Sequence, residues 1–534
     1  MVITDLLKDN SQKYTNEIAI TEIYFSNRIF QQEKASSRFN KEKCKRSITW
    51  KNFDILANKT ANFLLGLGVK KNDKISILLP NCLEWLPLFF GILRTGAIAV
   101  PLNFRYDSEE LFHCLNTSDC SVVFSSIEFD KKIKKAINNL INKPKLIYIG
   151  DNDSSNEECF YKLINNISDA APLEVINEQD YAAIYFSSGT TGLPKAILHT
   201  HKALMAAAES EVVHHFQRHN DNFLCMPPLY HTGSKMHWFG SLMVGGSMVL
   251  LLDISPRYIM ETISEERITI VWLIVPWAQD ILNSIDCGDI LLEQYNIEQW
   301  RLTHMGAQPI PATLIHQWQK KFPNQLYDTN YGLSETAGPG CIHLGTLNMH
   351  KIGSIGKAGY GWNVKIVDKN GDSVQPGEIG ELAVRGPGVM VEYYKNPTAT
   401  KEVLKDGWLL TGDIAYADDD GFIFLVDRKK DIIISGGENI YPVQIEQFLI
   451  QHKAIKDVAV IGLNDPRLGE MVTAIVEVKS GIKCSKLEIL KFCQSLPSYK
   501  RPRRIIFASI PRNATGKIEK NVLRKIYQNN ECHG

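Results

Sequence analysis

Short apolar runs of strand length alternate with segments of helical length through most of the chain. Strand-like runs begin at Lys74, Ala97, Ser121 and Lys145. The segment from Trp85 to Leu93, between the first two, has the apolar density of a buried helix. Strands separated by helices pack as a largely parallel sheet covered by helical layers. The alternation therefore predicts an α/β fold.

The pattern changes after about residue 350. Frequent glycines between Gly353 and Gly388 separate short β-like runs, which predicts a small β-rich unit over about 350–427. The next residues, Asp427-Arg-Lys-Lys-Asp431, are all charged and predict an exposed connector. Residues 432–534 have the length of a small domain, and their mixed pattern predicts a compact α+β module.

Charge and hydropathy limit the classes of partner. The 534 residues contain 59 Lys and Arg against 59 Asp and Glu, so the net charge is zero, whereas nucleic-acid and anionic-membrane binders usually have a basic excess. The longest charge-free apolar stretch, 236–252, is shorter than the roughly 20 residues of a spanning helix and predicts a buried helix leading into a strand. We therefore expect no nucleic-acid partner and at most peripheral membrane contact. The polar, basic segment from Tyr24 to Arg46 predicts a long loop or an extended hairpin, whose role stays open.

The cysteines indicate a reducing compartment. The eleven cysteines are scattered and none forms a Cys-x-x-Cys pair, which argues against a zinc ribbon or a thioredoxin-type site. The first residues lack the basic start and apolar run of a secretory signal. These features predict reduced thiols in the cytoplasm.

One motif has the composition of a phosphate-binding loop. It reads Tyr185-Phe-Ser-Ser-Gly-Thr-Thr-Gly-Leu-Pro-Lys195. Glycines expose backbone N–H groups, hydroxyls add donors and Lys195 adds positive charge, which together suit a phosphate chain. The run does not match the Walker A pattern. A turn rich in glycine and threonine is common in ordinary loops, but this ordered string is far more specific.

Further motifs follow it in order. They are Tyr331-Gly-Leu-Ser-Glu-Thr336, Trp408-Leu-Leu-Thr-Gly-Asp413, Asp427-Arg428 and Pro511-Arg-Asn-Ala-Thr-Gly-Lys517. Together the motifs resemble the adenylate-forming superfamily, which includes acyl-CoA synthetases, stand-alone adenylation enzymes and beetle-luciferase-like proteins. The resemblance runs from about Ile48 to Arg524. It implies a large N-terminal domain over 1–427, a hinge over 428–431 and a small mobile C-terminal domain over 432–534.

The resemblance also implies residue roles around ATP and Mg²⁺. The β- and γ-phosphates would be held by Ser187, Ser188, Gly189, Thr190, Thr191, Gly192 and Lys195. The adenine would lie between Tyr331, followed by Gly332, and the wall Gly306-Ala307-Gln308, while Asp413 and Arg428 would hold the ribose. The catalytic group would be Lys517, Glu335 and Ser334, which stands where the family more often has threonine. Mg²⁺ would be bound by Glu335 with Thr190, because hard cations prefer oxygen ligands.

Two further segments are assigned by the same resemblance. Lys430 matches the hinge position. The segment Ser435-Gly-Gly-Glu438 matches the part of the family that lines the pantetheine tunnel of coenzyme A once the small domain has turned, and its Gly436 and Gly437 let the backbone approach a thin chain closely.

The acid pocket is the least specified part of the site. Its expected residues are His231, Met236, His237, Trp277, Met305 and Gly338. Their mostly apolar character, without an obvious cation for a second carboxylate, favours an apolar fatty or aryl acid. Trp277 stands where acyl-CoA synthetases usually have proline, so it either closes the far end of the pocket or only packs in the core. His231 likewise either borders the pocket or is a packed histidine. Paired histidines such as His214-His215 lack a cysteine or acid at zinc spacing, so a zinc site is not expected.

The chemistry implied by this set is a two-step ligation. A carboxylate, ionised at pH 7, attacks the α-phosphorus of ATP, and a lysine between the two anions offsets their repulsion. The leading hypothesis is a ligase that forms acyl-AMP with release of pyrophosphate and then transfers the acyl group to coenzyme A. Transfer to a separate carrier-protein thiol and a luciferase-like oxygenase are the alternatives.

Overall fold

A computed structural model describes residues 1–25, 43–150, 159–187, 193–306, 310–512 and 517–528. The α-helices of these ranges are α1 Ile3–Lys13, α2 Trp50–Gly66, α3 Trp85–Arg94, α4 Ser108–Ser118, α5 Asp130–Asn138, α6 Phe160–Ile164, α7 His201–His215, α8 Thr232–Val244, α9 Pro256–Glu265, α10 Val275–Asp286, α11 Ala312–Lys321, α12 Pro397–Val403, α13 Pro442–Leu449, α14 Lys486–Phe492 and α15 Lys520–Gln528. Among these helices, none is both long and apolar enough to cross a membrane.

The strands of the same ranges begin with β1 Ile18–Tyr24, β2 Cys44–Thr49, β3 Lys74–Leu78, β4 Ile98–Pro101, β5 Val122–Ser126, β6 Lys145–Ile149, β7 Tyr181–Phe186, β8 Ala196–Thr200, β9 Asn222–Cys225, β10 Ser247–Leu251, β11 Ile270–Ile274, β12 Leu302–Gly306 and β13 Leu326–Gly332. They continue with β14 Pro339–Ile342, β15 Lys357–Ala358, β16 Asn363–Val367, β17 Gly380–Arg385, β18 Glu392–Tyr393, β19 Leu404–Lys405, β20 Trp408–Ala417, β21 Ile423–Arg428, β22 Ile433–Ser435, β23 Glu438–Ile440, β24 Ile455–Asp465, β25 Gly469–Val478 and β26 Arg504–Phe507.

Two large sheets with parallel centres form the N-terminal part. One has the order β15-β14-β13-β12-β11-β9-β10-β1-β2 and the other the order β18-β8-β7-β4-β3-β5-β6. Strands from β13 to β1 in the first sheet and from β7 to β6 in the second run parallel, while the edges add antiparallel neighbours. The α/β fold predicted from the alternating runs is confirmed.

The main core lies between the two sheets. Phe223 and Cys225 on β9 face helices α1, α2, α3, α7 and α8 in this layer, while Leu224 between them faces the outer layer of α9, α10 and α11. Successive side chains of a strand point to opposite faces, so a strand buried on both sides reads as a continuous apolar run. Helices α4 and α5 cover the outer face of the second sheet.

Two smaller sheets follow. The sheet β16-β17-β20-β19, with β21 beside β20, has its own apolar core. The sheet β23-β22-β25-β24, with β26 beside β25, is covered by α13 and α14 on one face and by α15 on the other. These are the β-rich unit and the α+β module expected from the sequence, while the domain boundaries at 427 and 431 stay predictions.

The charged connector is less exposed than its composition indicates. Lys429 and Lys430 are exposed, but Asp427 and Asp431 are buried. Asp427 accepts a hydrogen bond from the N–H of Val443 at 2.8 Å, and Asp431 pairs with Arg524 at 2.8 Å. The expectation of a fully exposed pentapeptide was wrong, because both carboxylates bind groups of the following module.

The basic segment from Tyr24 to Arg46 ends in paired strands. β1 and β2 run antiparallel, and residues 26–42 between them lie outside the described ranges. Arg46 on β2 lies 2.5 Å from a carboxylate oxygen of Glu22 and 2.9 Å from one of Glu84, and both glutamates are buried. Arg46 thus compensates two acids inside the structure.

Removing this guanidinium should strongly destabilise the N-terminal layers. We expect Arg46→Met to leave Glu22 and Glu84 buried without their cation, which costs about 3 kcal/mol or more in such cases. Thermal unfolding followed by circular dichroism measures the loss. Lys45→Met is the matched control, because its exposed ion pair with Glu266 contributes at most about 1 kcal/mol. Equal melting temperatures for the two variants would contradict the role of Arg46.

Candidate active site

An ion pair between Arg428 and Asp413 marks the centre of the site. The two residues are register partners on β21 and β20, and Nε of Arg428 lies 2.6 Å from Oδ1 of Asp413. The phenol of Tyr331, on β13, donates a hydrogen bond to Oδ2 of the same carboxylate. Burial and the charge of Asp413 raise the pKa of Tyr331, so its hydroxyl stays a neutral donor. The structure brings together Tyr331, Asp413 and Arg428, which the resemblance assigned to the adenine and the ribose.

Lys517, of the C-terminal module, lines the same cavity as this ion pair. Desolvation and the charge of Arg428 lower the pKa of Lys517, while the carboxylates of Asp413 and Glu335 raise it. An ammonium group among these charges is positioned to meet an anion. The lysine therefore lies at the predicted reaction centre although it follows the connector by many residues.

Glu335 is oriented by a tyrosine that the sequence analysis missed. The hydroxyl of Tyr393 donates to Oε1 of Glu335 at 2.8 Å. The ammonium of Lys195 lies 4.7 Å from the centre of the Tyr393 ring. Tyr393 belongs to β18, which pairs with β8 directly after the predicted phosphate loop. No local motif could reveal this residue, because its position depends on pairing between strands distant in sequence.

The backbone before Glu335 has a partner of its own. Nε2 of His199, on β8, donates to the carbonyl oxygen of Ser334 at 2.7 Å. Burial lowers the pKa of His199 to about 4, so the ring is neutral at pH 7 and its Nε2–H can serve as this donor. His199 thus holds the residue whose hydroxyl the resemblance assigned to the α-phosphate.

The predicted phosphate loop is described only at its ends. The N–H of Ser187 donates to the carbonyl of Lys195 at 3.0 Å, and the N–H of Lys195 donates to the hydroxyl of Ser187 at 3.3 Å. These bonds close the loop at its base. The predicted residues outside the described ranges are Ser188, Gly189, Thr190, Thr191 and Gly192, and also Ala307 and Gln308 of the adenine wall.

A cavity of about 410 Å³ is lined by some of these residues. The predicted residues among its lining are Met305, Gly306, Tyr331, Gly332, Asp413, Arg428 and Lys517. Its wall also includes Thr329 and Asn330, which sequence reasoning did not select. The carboxyl ends of parallel strands meet at one edge of a sheet, and this edge is the usual place for ligand sites in α/β folds.

The hinge and coenzyme A candidates lie in the C-terminal module beyond β21. Ser435 and Glu438 are register partners of the hairpin formed by β22 and β23. Gly436 and Gly437 make the turn with φ values of 60° and 87°, which favour glycine. Lys430 is exposed two residues after Arg428. Their roles stay predictions.

The turn before α8 holds His231. Burial, followed by the charges of Lys235 and Lys517, lowers the pKa of His231 to about 3, so its ring is neutral at pH 7. The ammonium group of Lys235 donates to the carbonyl oxygens of Leu229 and His231, the latter at 2.9 Å. Lys235 is almost fully buried and was missed, because a lysine within an apolar helix carries no positional signal. It stabilises the turn that presents His231.

Two tryptophans occupy different layers. Trp277 on α10 is half-buried and packs against the outer core with α9 and α11. Trp272 on β11 points to the opposite face, where its ring centre lies 5.2 Å from that of His237. A Cβ added to Gly306 would lie 3.7 Å from Nε1 of Trp272. These contacts favour Trp272 as the indole beside the cavity, and pocket closure by Trp277 stays a prediction.

The remaining pocket candidates have close neighbours. Met236 and His237 are buried on α8, and Met305 is buried at the end of β12. A Cβ on Gly338 would come within 3.1 Å of the Ala207 side chain, so only glycine fits there without displacing α7.

A buried polar cluster lies behind these residues and departs from the expected apolar wall. It consists of Glu211, His215, His237, His304 and Asp328. Nδ1 of His215 lies 3.0 Å from Glu211, and its Nε2 lies 2.7 Å from Asp328. Burial opposes protonation, but the two carboxylates raise the pKa of His215 to about 10. Histidine and acid sets therefore do assemble here, contrary to the sequence expectation, and the (i, i+4) pair Glu211 and His215 was the available signal.

Comparisons with known proteins identify the family. The family model described as "AMP-binding enzyme" matches residues 30–394, and the model described as "AMP-binding enzyme C-terminal domain" matches residues 444–517. The chain belongs to the AMP-binding enzyme family. It is 32% identical to the long-chain-fatty-acid–CoA ligase FadD13 of Mycobacterium tuberculosis, over 90% of this chain and 93% of that protein. It is 31% identical to the feruloyl-CoA synthase of an Amycolatopsis species, over 90% and 94% of the two chains. The solved structure of the anthranilate CoA ligase AuaEII in complex with anthranoyl-AMP matches with a TM-score of 0.87, 26% identity and coverage of 100% and 98%.

Within this family member, Lys517→Ala should separate the two half-reactions. We expect adenylation to fall about 10²–10³-fold, because a charge contact made mainly in the transition state is lost. Thioester formation from supplied acyl-AMP should be largely preserved. Pyrophosphate exchange measures the first step, and Lys525→Ala on the exposed face of α15 is the control. Normal exchange in the Lys517 variant would disprove its role.

The two tryptophans can be distinguished by a chain-length series. We expect Trp272→Ala to shift the optimum in kcat/KM towards bulkier acids with an unchanged KM for ATP, because apolar bulk is worth about 1–3 kcal/mol per methylene. Trp277→Ala should lower stability and leave the optimum in place. A shift in the Trp277 variant alone would instead support the sequence-based assignment.

Proposed function

We propose that this chain is an AMP-forming acid–thiol ligase that converts an apolar fatty or aryl carboxylic acid into its coenzyme A thioester. In the first step a carboxylate oxygen bonds to the α-phosphorus of ATP and pyrophosphate leaves. In the second step the thiol of coenzyme A attacks the acyl carbon, loses its proton and displaces AMP. The observation that carries the proposal is that Lys517 lines the same cavity as Tyr331, Asp413 and Arg428.

The residues divide the first step among them. Tyr331, Asp413 and Arg428 orient the nucleoside, and the ammonium of Lys517 reduces the repulsion between the carboxylate and the α-phosphate. Ser334 and the segment 187–195 contact the phosphates. His231, neutral at pH 7, borders the acid without adding charge.

Mg²⁺ fits the oxygen donors of the site. Glu335 is half-buried beside Tyr393 and close to Lys517, and its carboxylate is a hard ligand. Glu335, with Thr190, would hold the ion, and when bound it neutralises charge on the leaving pyrophosphate.

The second step is assigned to a rearranged C-terminal module. We propose domains over 1–427 and 432–534 with the hinge 428–431, and turning at Lys430 would bring Ser435, Gly436, Gly437 and Glu438 to the thiol channel. The partners are the acid, ATP and coenzyme A, with no nucleic acid and at most peripheral membrane contact. We place the enzyme in the cytoplasm, which the scattered cysteines of the sequence, without a Cys-x-x-Cys pair, support.

Product formation with coenzyme A as the sole thiol tests the function. A panel of fatty and aryl acids is assayed for pyrophosphate release and for thioester formation. Acid-dependent release of pyrophosphate together with a coenzyme A thioester supports the proposal. Adenylation without a thioester would point to a carrier-protein thiol, and no release with any acid would refute the ligase function.

A variant at Lys430 tests the proposed hinge. We expect Lys430→Pro to keep adenylation and to lose most thioester formation, because proline fixes φ near roughly −65° and a hinge must change its dihedral angles. Lys430→Ala keeps the backbone free and should retain both steps. Equal loss of both half-reactions in the proline variant would contradict a hinge at this position.

A further inference from the structure

Part of the polar cluster lies in one row of side chains that crosses three strands of the first large sheet. Trp272, His304 and Asp328 are register partners on β11, β12 and β13. The ring of His304 lies 4.1 Å from that of His237 on α8 and 4.4 Å from that of His215 on α7, measured between centres. The row therefore faces these two helices.

Two residues further along β12 and β13, on the same face of the sheet, the side of the cavity begins. Gly306 follows His304 by two residues and Asn330 follows Asp328 by two, so each pair points to one face of its strand. Both Gly306 and Asn330 line the cavity. His304 lies about 7 Å below Gly306, because a strand rises roughly 3.3 Å per residue. Gly306 adds no side chain at this position, and a Cβ there would lie 3.7 Å from Nε1 of Trp272.

Several polar atoms at this depth have no hydrogen-bond partner among the described residues. Both ring nitrogens of His304 are buried without a hydrogen bond, 3.7 Å from Glu211 and 4.0 Å from Asp328, and the side chain is 1% exposed. Oγ1 of Thr329 and Oδ1 of Asn330 are also buried without a partner. A buried polar group without a hydrogen bond destabilises the fold, so these atoms point to a ligand.

The available atoms call for a hydrogen-bond donor. Glu211 lies 3.7 Å from Nε2 of His304 and accepts a weak bond of 3.4 Å from Asn330. His215 lies between Glu211 and Asp328, and Nδ1 of His237 lies 3.1 Å from Glu211. The oxygens of Thr329 and Asn330 that lack a hydrogen bond suit a donating group beside these carboxylates.

We propose that His304, Asn330 and Glu211 form a specificity site for a hydroxyl or amino group at the end of the acid remote from its carboxylate. The inference rests on the proposed function and names its substrate class. The acid has an apolar body about one aromatic ring long, which lies over Gly306 beside Trp272. His304 determines specificity and takes no part in either half-reaction.

Matched acids test the proposal on the native enzyme. The pairs are benzoate with 4-hydroxybenzoate and 4-aminobenzoate, cinnamate with 4-hydroxycinnamate, and hexanoate with 6-hydroxyhexanoate. We expect at least one series to show kcat/KM at least tenfold higher for the donor-bearing acid, because its unsubstituted partner leaves the buried groups unpaired. Equal or lower values in every series would overturn the inference. Thioester formation without a donor preference refutes only this inference, whereas no product from any acid refutes the ligase function.

Two variants locate the effect. His304→Leu should reduce the donor preference at least tenfold with an unchanged KM for ATP and a melting temperature no lower than that of the native protein. His201→Leu is the matched control, because His201 is also buried with both ring nitrogens unpartnered among the described residues, and it lies at the start of α7. This control should keep the preference. A preference that survives in the His304 variant would overturn the assignment.

Metal analysis of the purified native protein tests whether a metal ion occupies this cluster in place of a substrate group. Glu211, His237 and His304 can approach one ion, since their ligand atoms lie within 4.8 Å of one another. We expect substoichiometric zinc. One zinc per chain, lost in His304→Leu, would overturn the substrate assignment in favour of a metal centre.

Discussion

The Arg428–Asp413 ion pair is the interaction on which the site depends. It joins two antiparallel strands of the small β-rich sheet, and Tyr331 extends it to the end of β13 in the large sheet. Arg428 itself belongs to the charged connector that leads to the C-terminal module. One pair of charges therefore links the predicted nucleoside position, two sheets and the attachment of the module that carries Lys517.

Contacts across the connector keep Lys517 in place. Asp427 binds the N–H of Val443 at the start of α13, Lys520 pairs with Glu446 at 2.8 Å, and Arg524 pairs with Asp431 at 2.8 Å. Burial raises the pKa of Asp427 to about 6. An arrangement held by a few polar contacts can be exchanged for another at modest free energy, as two-state domain rotation requires.

Buried polar and charged groups are compensated to different extents in two parts of the structure. Around Arg46, one cation is shared by two carboxylates that have no role in the cavity, and the group joins β1, β2 and the start of α3. Around Glu211, one histidine is shared by two carboxylates, and polar atoms facing the cavity lack partners in the described ranges. A complete network stabilises a fold, while an incomplete one beside a cavity is typical of a binding site.

The sequence by itself determined the α/β class and the order of the elements, and it predicted the residues of the nucleotide site. Strand and helix periods are local properties, and motifs such as Tyr331 to Thr336 carry their chemistry within a few adjacent residues. Only the tertiary structure decided which side chains lie beside the cavity. Trp272 and Trp277 look equivalent in the sequence, but their strand and helix turn them to opposite faces of the sheet.

The same holds for residues brought together from separate elements. Tyr393 reaches Glu335 through the pairing of β18 with β8, and Glu211, His237 and His304 come from two helices and a strand. Spacing along the chain does not encode such proximity, because strand register and helix packing set it. The sequence alone thus determined which reaction the chain is suited to, and the packing of β11 to β13 against α7 and α8 decided which polar groups come together behind the cavity.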